Sequence, residues 1–209
     1  MSLKILSVTL GMCQTNCYFV YKEGNNKGIF IDPADNGKML YEGLKNKGFE
    51  ISAIFITHGH FDHITGADEL RKLSGAKIYA PLEDKELLED PGQNLSGNWA
   101  EPVTLDADEY FGDGKEYEIE GMKFKTILTP GHTKGSSCFY FEEDKQLFSG
   151  DTLFYESIGR TDFPTGSHSQ LVRNLKEKLL TLPADVEVHS GHGPSSDIGH
   201  EKDYNPFAG

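Results

Sequence analysis

The chain is short of cysteine, of positive charge and of long apolar runs. Three Cys among 209 residues cannot build a disulfide framework, and so small and odd a number suits a reducing compartment. Twenty Lys and Arg stand against thirty-three Asp and Glu, a net charge of −13. A surface made to follow phosphate backbones carries the opposite sign, which argues against nucleic acid as a main partner. No apolar run approaches the ~18 residues of a membrane span. The start, Met-Ser-Leu-Lys-Ile-Leu, is too short and too soon polar for a secretory signal. No stretch rich in Pro, Gly and Ser divides the chain. The expectation is a cytoplasmic, acidic protein of one domain over residues 1–209, with no membrane and no nucleic acid among its partners. A chain of this length buries about 70% of the surface that its unfolded form exposes.

Strand-like and helix-like runs alternate along the sequence. Residues 3–10, 17–22 and 28–32 are short and β-branched or aromatic, with a hairpin turn at Gly24-Asn25-Asn26-Lys27-Gly28. Residues 36–47 carry Leu40 and Leu44 on one helical face and end at Gly48. Residues 53–57 predict a buried strand. A helix is predicted from Asp62 to Leu73, with Ile64, Ala67, Leu70 and Leu73 on one stripe. Residues 77–80 predict a strand, 82–88 a short helix and 89–102 a long irregular loop. Strands follow at 103–105, 116–119, 122–128, 137–142 and 146–149. Ser167, with Gln170 three positions on, predicts a capping box that opens a helix whose inner stripe is Leu171, Leu175 and Leu179. A last strand covers 186–189. Strands followed by a helix, twice over, suggest two β-rich halves packed face to face with helices outside.

What the chain has in plenty is histidine in clusters. His58, His60 and His63 fall within Thr57-His58-Gly59-His60-Phe61-Asp62-His63, directly after a buried strand and at the start of a helix. His60, His132, Asp151 and His192 each follow a Gly, and each pair follows an apolar segment. A strand end, a Gly able to take a sharp turn and a metal-type ligand recur four times. Four such ends can converge on one edge of a sandwich and carry His58, His60, Asp62, His63, His132, Asp151 and His192. Five imidazoles and two carboxylates exceed the needs of one ion and suit two divalent ions about 3.5–4 Å apart, with Asp151 bridging. Nitrogen and oxygen donors without thiolate point to zinc first, with iron or manganese as alternatives.

The His-x-His-x-Asp-His motif, a later Gly-His, a Gly-Asp and a final Gly-His, at these intervals, resemble the metallo-β-lactamase superfamily over essentially the whole chain. The resemblance implies an α/β fold of the αβ/βα sandwich type, with two mixed sheets face to face and helices outside. It implies His58, His60 and His132 around one metal, Asp62, His63 and His192 around the other, and Asp151 as the bridge. Asp32, which ends the strand Ile29–Ile31, matches a motif whose role is to support a ligand rather than to bind metal; a plain turn before Pro33 is the other reading. Within the superfamily, Ser149-Gly150-Asp151-Thr152-Leu153-Phe154 and Ile158-Gly159-Arg160-Thr161-Asp162-Phe163 resemble the glyoxalase II group. A β-lactamase reading is disfavoured, because Asp151 stands where those enzymes carry Cys or Ser. The chain stops soon after His192, without the helical part that binds the glutathione thioester in that group, and Gly193-Pro194 follows His192 in place of an acidic or Asp-Tyr continuation. The pattern looks like the short bacterial glyoxalase II-like subgroup.

The expected activity is hydrolysis of a small-molecule thioester by a metal-bridging hydroxide, with Asp62 as the catalytic carboxylate that orients it and takes its proton. A mononuclear-iron persulfide dioxygenase and a non-catalytic metal-binding protein are the alternatives. Arg160 has two readings: a clamp for a substrate carboxylate, or a salt bridge to Asp162 that stiffens its loop. His168, His189 and His200 have no motif around them and are expected to lie apart from the centre. Cys17 and Cys138 are expected in the core. Trp99 and residues 94–96 either cover the site as a lid or form a plain surface loop.

Overall fold

Period-two alternation along the strands sorts side chains to two faces, and that alternation builds the molecule. In the structure, a computed structural model that describes residues 2–209, the first sheet holds β1 (Leu3–Leu10), β2 (Thr15–Lys22), β3 (Lys27–Ile31), β4 (Glu50–Phe55), β5 (Lys77–Pro81) and β6 (Glu109–Phe111), hydrogen-bonded in that order. β1, β2 and β3 pair antiparallel; β3 to β6 run parallel. The second sheet holds β7 (Glu116–Ile119), β8 (Met122–Leu128), β9 (Ser137–Phe141), β10 (Gln146–Gly150), β13 (Glu187–Ser190) and β14 (Ser196–Asp197), with the hairpin β11 (Leu153–Phe154) and β12 (Ser157–Ile158) beside it. β10 and β13 are its one parallel pair.

In β2, Tyr18 and Val20 face the second sheet, while Cys17 and Phe19 face outward. Between the sheets, Tyr18, Val20, Ile29, Ile31 and Phe55 meet Phe124, Phe139, Phe141 and Phe148. Outside the first sheet, Phe30, Ile54 and Ile78 pack on Leu40 and Leu44 of α1 (Gly37–Asn46), on Ile64 of α2 (Phe61–Ile64) and on Leu70 of α3 (Ala67–Ser74). The short α4 (Lys85–Glu89) and α5 (Ser96–Trp99) follow β5. Outside the second sheet, Cys138, Leu147 and Val188 pack on Leu175 and Leu179, which continue α6 (His168–Asn174), and on Ile198 of α7 (Ile198–Tyr204). Two mixed sheets face to face with helices outside are the expected sandwich, and Cys17 and Cys138 lie in the core as expected. Among the described residues, no helix is long and apolar enough to cross a membrane.

Four local expectations change. The helix predicted from Asp62 to Leu73 is broken at Thr65-Gly66 into α2 and α3, because the Gly66 N–H donates to the Pro33 carbonyl (2.9 Å) and the backbone of Asp35 presses against it. The restart turns Leu73 outward, 41% exposed. Residues 103–105 form no strand: the Val103 carbonyl accepts from Asn94, and the Leu105 N–H donates to the Leu88 carbonyl. Ser167 makes no side-chain cap, so the capping box is absent, and the helix it precedes widens into a π turn over Leu175–Leu179. The predicted irregular loop contains α5, and β6, β11, β12, β14 and α7 were missed.

Candidate metal centre

The clustered histidines arrive from both halves of the sandwich at one edge. His58 and His60 lie on the turn after β4; Asp62 and His63 open α2. His132 follows β8, Asp151 ends β10 and His192 follows β13. Gly150 has a φ of 49°, and a Cβ there would strike the Thr57 side chain at 2.6 Å. At Gly191 a Cβ would press on Asp151 Oδ1 and on His63 Cε1. Glycine at these two positions lets the carboxylate come close.

Three groups have ligand atoms within 4.8 Å of one another: His58, His60 and His132; His58, His63 and Asp151; and Asp62, His63 and His192. His60 Nδ1 lies 2.8 Å from His132 Nε2, which lies 3.2 Å from His58 Nε2. Asp151 reaches towards both outer groups, at 3.3 Å from His63 Nε2 and 3.4 Å from each of His132 Nε2 and His192 Nε2. Asp62 Oδ2 is 3.4 Å from His192 Nε2. All seven residues singled out in the sequence are thus brought together.

Four of the five imidazoles have their other nitrogen held. His63 Nδ1 donates to Asp32 Oδ2 (2.8 Å), His132 Nδ1 to the Arg160 carbonyl (2.7 Å) and His192 Nδ1 to the Cys13 carbonyl (3.1 Å). Thr57 Oγ1 sits 3.2 Å from His58 Nδ1 and donates to Asp32 Oδ2 at 2.6 Å. Such bonds fix the tautomer and aim the remaining nitrogen inward. Asp32 therefore supports His58 and His63.

The residues fit a metal. His60 Nε2, His63 Nε2 and Asp151 Oδ1 are buried without a hydrogen-bond partner, a costly state for a polar atom unless something binds it. The electrostatics favour cations on the carboxylate side. Burial works against a charged His192, yet its bonds to Asp151 and Asp62 push it up to about 10. Burial likewise disfavours the charged form of His63, and the neighbouring carboxylates Asp151, Asp62 and Asp32 still raise it well above its ordinary value. Asp62 sits at about 2: burial would raise it, but the charge of His63 and the bond from His192 prevail. On the other side, burial and its imidazole neighbours drive His58 well below its ordinary value, and burial and His132 drive His60 to about 3. Neutral imidazoles are the form that ligates.

Asp84 was missed by sequence reasoning. It is fully buried, and it accepts from Gly59 N (2.9 Å), Thr133 Oγ1 (2.7 Å) and Gly135 N (2.6 Å). One carboxylate thus ties the turn carrying His58 and His60 to the turn carrying His132. No signal sets Asp84 apart from its neighbours Glu83 and Asp90 in the sequence. Thr15, whose Oγ1 donates to Asp62 Oδ2 (3.0 Å), was missed as well.

A cavity of about 400 Å³ opens over the centre. Leu95 and Trp99 line it, so the 89–102 segment contributes a wall. Arg160 lines it too, but its Nε and Nη2 donate to Asp162 Oδ1 and Oδ2, at 2.7 Å each. That is the loop-stiffening pair. A larger cavity of about 660 Å³ lies at the β7 edge among Glu and Lys side chains and holds no imidazole. His168 packs on Phe207, His189 stacks on Phe148 and bonds Gln146, and His200 bonds Glu156; all three lie apart from the centre, as expected.

The fold and the site define a class, and the sequence comparison agrees: residues 10–192 match the metallo-beta-lactamase superfamily, and the chain belongs to it. It is 38% identical, over 95% of this chain and 94% of the relative, to the protein named "Probable metallo-hydrolase YqgX" of Bacillus subtilis (strain 168). It is 33% identical, over 99% of this chain and 98% of the relative, to the hydroxyacylglutathione hydrolase GloC of Haemophilus influenzae (strain ATCC 51907 / DSM 11121 / KW20 / Rd). Two crystal structures are similar. BLEG-1 B3 metallo-beta-lactamase superposes with a TM-score of 0.93 at 37% identity, over 98% of this chain and 99% of that one. TTHA1623 in a di-iron-bound form superposes at 0.84 and 34% identity, over 97% and 99%. The family and the His/Asp groups together support divalent metal binding.

Proposed function

We propose that the protein is a dinuclear metal-dependent hydrolase of small-molecule thioesters, acting as one domain over residues 1–209 in the cytoplasm. The observation that carries the reading is the convergence of His58, His60, Asp62, His63, His132, Asp151 and His192 at the floor of an open pocket. A purely structural metal site closes on four ligands. His58, His60 and His132 would hold one ion, and Asp62, His63 and His192 the other, with Asp151 between them. Zinc or iron suits these donors; the likeness to a di-iron structure supports two ions. The likeness to a hydroxyacylglutathione hydrolase supports the thioester.

When bound, the ions supply Lewis acidity to the thioester carbonyl and a lowered pKa to water. Asp62, ionised far below neutrality and steadied by Thr15, orients that water and takes its proton. As the water oxygen bonds to the carbonyl carbon, the carbon–sulfur bond would break, the electron pair would leave on sulfur, and the proton taken by Asp62 would pass to the thiolate or to solvent. A thiol of pKa ~8.5 departs without a strong general acid.

The test is metal analysis of protein purified without chelator, with hydrolysis of a panel of thioesters. Two ions per chain and thioester turnover are expected. One iron per chain with oxygen consumption on a persulfide would replace this reading with the dioxygenase. The likeness to a B3 metallo-beta-lactamase supports a second reading, lactam hydrolysis on the same centre, and a β-lactam assayed in parallel decides between them.

A further inference from the structure

We propose that the pocket selects thioesters whose acyl arm is apolar and uncharged, and rejects arms that end in a carboxylate. The inference takes the reacting bond from the thioester reading above and everything else from the walls.

Those walls are mostly hydrocarbon, with Cys13, Ser157 and Arg160 as the polar side chains outside the ligand cluster. Phe61, Leu95, Trp99, Phe154, Ile158 and Phe163 surround the space above the carboxylates and imidazoles. The apolar surface reaches both ligand groups: the Phe163 ring stands edge-on to His60, and the Phe154 ring edge-on to His192, each with centroids 5.8 Å apart. A carbonyl placed between the groups has its substituents against one or other phenyl ring. Arg160 is the one Lys or Arg among the described residues that line the cavity. Its two-pronged bond to Asp162 already has the geometry a substrate carboxylate would offer, and its guanidinium lies 3.8 Å over the Phe163 ring. Its charge is therefore already met by a neighbouring carboxylate in the structure. Along these walls a carboxylate-ended arm would be desolvated against phenyl rings with no unpaired Lys or Arg to meet it. The volume, about 400 Å³, lies near the small end of ligand pockets. It admits a short acyl chain and leaves a larger thiol carrier to run out past Trp99, which is 56% exposed at the rim.

Trp99 is the single Trp of the chain, so its fluorescence reports occupancy without any turnover. Metal-loaded protein is titrated with two non-hydrolysable thioethers of N-acetylcysteamine, S-hexyl and S-(5-carboxypentyl). The S-hexyl compound should half-saturate the emission change at a concentration about tenfold lower or more, since each buried methylene contributes about three- to fourfold and a desolvated carboxylate opposes binding. Equal half-saturation, an inverted order, or no response of Trp99 to the S-hexyl compound overturns the proposal. Hexanoyl and adipoyl thioesters of the same carrier are then assayed, with a KM for hexanoyl lower by a similar factor. Turnover of both with equal KM overturns the proposal and leaves the thioester reading standing. Turnover of neither, with the fluorescence preference intact, overturns the thioester reading and leaves the apolar pocket. Asp162→Asn should free Arg160 and bring the adipoyl KM towards the hexanoyl value; an unchanged adipoyl KM overturns the argument that Asp162 cancels the guanidinium.

Discussion

The floor of the pocket and its walls come from different parts of the fold. The floor is set on turns that leave β4, β8, β10 and β13, and almost every side chain in it is bonded from behind: Asp32 behind His58 and His63, Asp84 between two turns, the Cys13 carbonyl behind His192. The walls come from pieces too short to be rigid by themselves. Leu95 and Trp99 belong to a four-residue helix and its cap, Phe154 and Ile158 to two-residue strands, and Phe163 to a turn. Polar geometry that must hold to fractions of an ångström rests on the sheets, and apolar selectivity, which tolerates small shifts, rests on loops.

That contrast can be broken at graded points. The largest effect is expected at Asp151, the side chain nearest to both groups. Asp151→Ala should lower turnover by about a hundredfold or more and reduce bound metal below the wild-type ratio, since on the proposed dinuclear reading one bridging anion would serve both ions; elemental analysis with kinetics checks this, and normal metal with normal turnover removes Asp151 from the bridge. Asp84→Ala comes next. It leaves the Gly59 and Gly135 N–H groups buried without a partner and takes one of the two bonds of the Thr133 hydroxyl, a cost of about 2 kcal/mol or more, read by denaturant unfolding. Metal affinity should fall with it, because the turns of His60 and His132 lose their tie. Thr57→Val keeps the shape but loses the relay between His58 and Asp32; metal should bind about tenfold more weakly, measured by competition with a chromophoric chelator. Arg160→Ala should change KM for carboxylate-bearing thioesters by less than about threefold and barely move the melting temperature, since an exposed pair contributes little. A rise of about tenfold or more would show a substrate clamp after all. The smallest effect is expected at His168, His189 and His200: each replaced singly by Gln should leave the metal content unchanged.

The floor was far more legible in the sequence than the walls. His58, His60 and His63 declare themselves because imidazoles at that spacing after a strand have little other use, and the Gly before His60, His132, Asp151 and His192 marks the sharp turns. Asp84 and Thr15 were hidden because they act on backbone or on one carboxylate across 25 to 51 residues of sequence, which no local pattern records. The break at Gly66 was hidden for the same reason: its N–H is taken by the Pro33 carbonyl, and a Cβ there would strike the Asp35 backbone, neither of them a neighbour in the helix. Residues 103–105 look like a strand by composition, but their hydrogen-bonding groups are claimed by Asn94, Ser96 and Leu88 before any sheet can use them. Pairing is a tertiary outcome, and composition alone does not choose it.

The sheets meet the centre along a seam. The Asn16 amide donates to the Ser190 and Gly193 carbonyls, and the Ser137 N–H to the Thr57 carbonyl, so the first half of the chain is stitched to the second beside the ligands. The candidate ligands divide across that seam, with His58 on one side and His192 on the other. An ion held by Asp62, His63 and His192 would act as a removable cross-link that closes a loop of about 130 residues, and a cross-link constrains an unfolded chain more strongly the longer the loop it closes. Resistance to unfolding would then follow the free metal in the surroundings, and a cell that withholds the metal would be deciding how long the molecule lasts as well as whether it works.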